Sequence, residues 1–151
     1  MSVVTRTVTI NAAFLQEIKE DNQRLRQLLN SLRQKDTRWK RSLQELAVAL
    51  GQLRDQLAIH FSLEEAFGYF EDPLRIAPRL SEQAEELRLQ HGDLYSQASA
   101  LADLADSRSR DSNATEVWEG FAVFDAALQE HEARENELIM RAFTVDLGVG
   151  D

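Results

Sequence analysis

Four stretches of this chain place apolar side chains at alternating steps of three and four residues, the spacing that draws one buried stripe along a helix. The first stripe is Leu15, Ile18, Asn22, Leu25, Leu29 and Leu32, and the second is Leu43, Leu46, Leu50, Leu53, Leu57, His60, Glu64 and Phe67. The third runs through Leu80, Ala84, Leu87, His91, Leu94, Ala98 and Leu101. The fourth is Val117, Phe121, Phe124, Leu128, His131, Glu135, Leu138 and Ala142. Each stripe must be buried against another element. Four amphipathic helices of about 22 to 28 residues with short polar connections predict an all-α, up-down-up-down four-helix bundle.

The inventory agrees with helices. Leu, Ala, Glu, Gln and Arg dominate, while 151 residues hold only two prolines and six glycines. The bundle is expected over residues 11–144, with Asn11 as its first cap and Ile10 and Leu15 closing a hydrophobic staple. Residues 3–10 alternate β-branched and polar side chains, so residues 1–10 are read as an extended N-terminal arm. Residues 145–151 are read as an irregular tail. Between the helices lie a charged break (residues 34–41) followed by a Ser42/Glu45 capping box, a loop marked by Asp72, Pro73 and Pro78, and a polar turn ending in Asn113.

The net charge is −9, from 17 basic and 26 acidic residues, a field that repels phosphate backbones and anionic headgroups. Nucleic acid is therefore not an expected partner. With no cysteine, disulfides, thiolate metal sites and thiol catalysis are excluded. No apolar run approaches the roughly 20 residues of a membrane span, and the N-terminus lacks a signal-like apolar segment. A soluble cytoplasmic protein is the expectation.

The stripes carry an anomaly. All three histidines fall on them, although a stripe claims about two residues in seven, which chance would give roughly one time in 40. Glu64 and Glu135 each lie four residues after a histidine, one turn further along the same face. HFSLE and HEARE thus repeat one pattern. Two ionised carboxylates facing one core need compensation, and no lysine or arginine occupies any stripe. A metal ion, or a pair of them, is the partner such a mixture of imidazoles and carboxylates calls for. At about 1.5 Å per residue, His60, Glu64, His91, His131 and Glu135 also reach similar depths in the bundle. Glu65, Glu132 and Glu137 point off the stripes and are expected to be solvated.

With those residues in place, the chain resembles the hemerythrin-like (HHE cation-binding) family over roughly residues 12 to 143. The resemblance implies a four-helix bundle around a carboxylate-bridged, non-haem di-iron centre. His60, His91 and His131 would be terminal ligands, and Glu64 and Glu135 would bridge. It further implies a small gas ligand, dioxygen or nitric oxide, and roles in gas binding, iron handling or redox sensing. Two positions depart from the family pattern. Asn22 stands where the first helix should supply a histidine, with Asp21 or Glu17 as alternative oxygen donors, and Tyr95 replaces a second histidine on the third helix. Asn22 and Tyr95 are thus candidate cofactor-binding residues. Zinc or manganese also suits this donor set.

Two other readings stand beside this one. A carboxylate-bridged di-iron oxidase or repair enzyme would use the same donors, although the Glu-x-x-His pattern of ferritin-like oxidases is missing, since Leu57, Arg88 and Leu128 precede the histidines by three. A metal-free helical interaction module would use the polar core residues only to fix register.

Overall fold

The computed structural model describes residues 2–34, 43–66, 78–106 and 114–148. Among these, four long helices and one 3-10 turn are formed, and no strand: α1 (Ser2–Arg33), α2 (Leu43–Ala66), the turn Pro78–Leu80, α3 (Ser81–Asp106) and α4 (Ala114–Gly148). The all-α bundle is as expected. Pro78 opens the turn that leads into α3, and Glu82 sits in the first turn of α3, where free N–H groups favour negative charge.

The helix ends differ from the expectation. Helix α1 begins at Ser2, so residues 3–10 are helical rather than extended, and Asn11 lies inside the helix. Val and Thr give up less than about 0.7 kcal/mol each relative to Ala in a helix, and no Gly or Pro interrupts the run. Extending an existing helix gains one hydrogen bond per residue, which outweighs that handicap. Helix α4 likewise continues to Gly148, into the expected tail. The caps at Ser42 and Asn113, Trp39, the loop at Asp72 and Pro73, and Phe67 lie outside the described residues.

Helix α2 packs most extensively on α3, α3 on α4, and α1 on α2. Neighbours α3 and α4 are antiparallel: Gln90 meets His131, while Leu101 lies against Gly120, so eleven residues forward on one helix match eleven backward on the other. A Cβ on Gly120 would fall 2.5 Å from Leu101 Cδ2, so the bare backbone permits this approach. The remaining seam, α1 against α4, is spanned by a forked ion pair in which Arg33 Nε and Nη2 donate to Asp125 at 2.7–3.0 Å.

The main apolar core joins Leu25, Leu29 and Leu32 to the leucines of α2, to Leu94–Ala105 of α3 and to Val117–Leu128 of α4. A smaller group of Leu80, Ala84, Leu87 and Leu138 is buried beyond it. Between the two lies a polar layer of Asp21, Gln56, His60, Glu64, His91, His131 and Glu135. Leu53 is fully enclosed, so Leu53→Ala should destabilise the bundle by about 2–5 kcal/mol through lost burial and a residual cavity. Val123, 70 % exposed, should tolerate Val123→Ala within about 0.5 kcal/mol. Urea denaturation of the metal-free protein measures both.

Candidate metal centre

Each half of the polar layer is built by one helix turn. On α2, His60 and Glu64 are four residues apart, and His60 Nε2 lies 2.5 Å from Glu64 Oε1. On α4, His131 and Glu135 repeat the arrangement, with Nε2 3.3 Å from Oε1. His91 of α3 enters between the pairs, its Nε2 3.6 Å from Glu64 Oε2 and 3.5 Å from Glu135 Oε2. All three rings thus present Nε2 to the two glutamates. Glu64, His91, His131 and Glu135 are all buried, with one donor atom of each within 4.8 Å of the others. His60 adjoins this group through Glu64.

The outer edges of the rings are held unequally. Asp21 Oδ2 lies 2.7 Å from His60 Nδ1, and Gln56 Nε2 donates to Asp21 Oδ1 at 2.6 Å. A carboxylate only accepts, so Nδ1 of His60 carries the proton. Gln90 Oε1 accepts from His131 Nδ1 at 2.8 Å. His91 Nδ1 faces only Glu65 Oε1 at 3.6 Å, too long for a hydrogen bond. Phe61 stacks on His91 with centroids 4.1 Å apart and planes 8° from parallel, and meets the edge of His131 at 6.0 Å. It is the wall between the polar layer and the apolar core.

The electrostatics of the metal-free cluster follow from this crowding. Burial would lower the pKa of His60, but hydrogen bonds to Asp21 and Glu64 outweigh it and raise the pKa from 6.5 to about 10. His91 is likewise opposed by burial, yet Glu135 and Glu64 bring it to about 9. Burial pushes the Glu64 carboxyl up, and the close contact with His60, together with the nearby His91 imidazole, drives it well below the usual carboxylate range. Three atoms remain enclosed without a hydrogen-bond partner: Glu64 Oε2, His91 Nδ1 and His131 Nε2. Two of these, the carboxylate oxygen and the imidazole Nε2, point into the shared centre, which is the demand a cation meets.

A cavity of about 350 Å³ opens beside the group along the α1–α4 seam. Asp21, Asn22, His60, Glu64, Glu132 and Glu135 line it together with Leu25, Leu29 and Leu63. Glu132, expected to be solvated, is half-buried at this wall, and burial raises its pKa against the opposing pull of His60. Glu65 and Glu137 are exposed as expected.

The structure therefore gathers His60, Glu64, His91, His131 and Glu135 in one layer and leaves two candidates aside. Asn22 is exposed at the cavity rim, and Tyr95, 39 % exposed, sits on the outer side of α3. Asp21 takes the inward position on α1. Counting back from Leu32 at about 3.6 residues per turn reaches positions near 28, 25 and 21, so the helical drift selects 21 over 22. Phe61, Gln56 and Gln90 were not singled out by the stripes. For Phe61 a signal exists, because Leu57, Phe61 and Glu64 satisfy the same spacing rule as Leu57, His60 and Glu64. Gln56 and Gln90 flank their stripes by one residue and carry no such signal.

No helix among the described residues is long and apolar enough to cross a membrane. No curated protein and no solved structure matches the chain significantly. A family model described as the hemerythrin HHE cation binding domain matches residues 13–143, a span that contains every donor of the buried layer. The chain therefore belongs to the hemerythrin HHE cation-binding domain family.

Proposed function

We propose that this protein is a non-haem iron protein whose carboxylate-bridged di-iron centre binds a small gas, dioxygen or nitric oxide, in gas handling or redox sensing. The observation that carries the reading is the compact buried group of two imidazoles and two carboxylates, with a further imidazole against it and inward donors lacking partners. His60, His91 and His131 would hold the metals through Nε2, and Glu64 and Glu135 would lie between them. Imidazole with carboxylate and no thiolate suits iron, and also zinc or manganese. Bound iron supplies a redox-active Lewis acid with positions open to an exogenous molecule. The protein supplies orientation through Asp21 and Gln90, and dry shielding through Phe61.

One observation favours a second reading. The cavity of about 350 Å³ is about ten times a water's share of liquid volume, ~30 Å³, and admits molecules larger than a diatomic. An oxidase or repair activity on a small organic substrate would use that space. The metal-free interaction module is the reading least suited to enclosed donors without partners.

Metal analysis of the purified protein, with visible spectra of an anaerobic iron-loaded sample before and after exposure to air or nitric oxide, tests the proposal. About two irons per chain and a changed spectrum are expected. One zinc and an unchanging spectrum would overturn the iron reading. Exhaustive chelation should lower the melting temperature by ~5–11 °C, from about 2.7 kcal/mol of linkage at a hundredfold excess over Kd and ~2–4 °C per kcal/mol. An unchanged melting temperature would favour the metal-free module.

Proton linkage gives a further expectation. Between the unfolded value of 6.5 and the folded values of about 9 and 10, the metal-free native state holds more protons on His91 and His60 than the unfolded chain does. Their contribution is complete below pH 6.5 and is lost as pH rises through about 9 and 10. Glu64, lowered from 4.5, contributes above that value, and its contribution is lost on acidification. Chelated protein should therefore be most stable between about pH 4.5 and 6.5. Ligating imidazoles must be neutral, so the gap in melting temperature between loaded and chelated protein should widen from pH 6 to pH 9. A gap independent of pH would contradict ligation by these histidines.

A further inference from the structure

The two His–Glu pairs look alike along their helices but differ at the far edge of the imidazole. Behind His60 stands a carboxylate, Asp21, itself fixed by the amide of Gln56 at 2.6 Å. Behind His131 stands a neutral amide, Gln90, at 2.8 Å. Both contacts place the proton on Nδ1 and leave Nε2 facing a glutamate, at 2.5 Å in one pair and 3.3 Å in the other. A carboxylate makes the opposite nitrogen a stronger donor than an amide does. The surroundings differ as well. Glu64, His91, His131 and Glu135 form one buried group, whereas His60 keeps 12 % of its side chain exposed and lines the cavity of the α1–α4 seam with Asp21. His60 therefore stands at the wet edge with fewer protein donors around it.

We propose that Asp21, clamped by Gln56, is the positioning residue for His60 and Gln90 that for His131, and that this difference makes the two halves of the centre bind metal unequally. This rests on the metal-binding reading above. The position held by His91, His131, Glu64 and Glu135 fills first. The position built on His60 and Glu64 fills second, and depends on Asp21 to hold the ring in the one tautomer that presents Nε2. Asp21 does not itself reach the metal, because it sits on the opposite edge of the ring from Glu64. It takes over, from the outer side, the part of α1 in the centre that Asn22 does not supply.

Zinc titration of the chelated full-length protein by calorimetry, with a competing chelator, resolves the two steps. Wild type should take two equivalents with distinct affinities. Asp21→Asn should weaken the second step about 10–100-fold and leave the first within about threefold, while Gln90→Leu should do the reverse. Gln56→Ala, which keeps both Asp21 and His60, should weaken the second step in the same direction as Asp21→Asn and serves if that variant loses helical content. In zinc-loaded wild type, long-range proton–nitrogen NMR should find His60 protonated at Nδ1 and metallated at Nε2, and in Asp21→Asn the Nδ1 proton resonance should move upfield toward that of His131, whose partner is an amide. A purely structural role would not move that signature. Two steps unaltered by these substitutions, a single step only, or equal weakening of both steps by both variants would overturn the inference while leaving metal binding intact. No zinc uptake by wild type, iron-loaded samples also being empty, would remove both.

Discussion

Three carboxylates, Asp21, Glu64 and Glu135, are enclosed in a bundle whose buried residues include no lysine or arginine among those described. Removing ionised carboxylates from water costs several kcal/mol each unless opposite charge arrives with them. The fold leaves two sources for that charge, protons on the imidazoles or cations among them. His60 and His91 accept protons far above the ordinary imidazole range for this reason. The whole layer is thus built around a positive charge that the polypeptide does not permanently own.

Architecture follows from placing that layer between two apolar blocks. The large core through Leu46, Leu50, Leu53 and Leu57 fixes the helix register, and Leu80, Ala84, Leu87 and Leu138 close the other side. Helix α3 delivers one imidazole, His91, almost equidistant from Glu64 and Glu135. The i,i+4 pairs of α2 and α4 then converge on it from either side. Phe61 separates ring nitrogens from leucines and restricts the rotation of His91 by stacking.

Most of this was legible in the order of residues. Every member of the α3 stripe is buried, as is every member of the α4 stripe through Leu138. Strict three-and-four spacing survives there because both helices pack tightly on neighbours. It failed on α1, where the drift of a straight helix against a heptad turns Asp21 inward and Asn22 outward. The supporting residues were less readable for a different reason. Gln56, Gln90 and Asp21 act through hydrogen bonds between helices, and such pairings depend on which helices become neighbours, not on periodicity within one. The helical start at Ser2 was hidden too, since local β-propensity is weak against propagation of an adjoining helix.

The seam between α1 and α4 carries one consequence of its own. Three sides of the bundle are closed by close helix packing, but this side is closed by the Arg33–Asp125 fork with a void beside it. Movement of α1 away from α4 would break that fork and expose Leu25, Leu29 and Leu32, while α2, α3 and α4 keep the inner donors assembled. Solutes can then enter and leave by the motion of one rod, on the timescale of a local opening, without the cooperative loss of structure that a sealed bundle would demand.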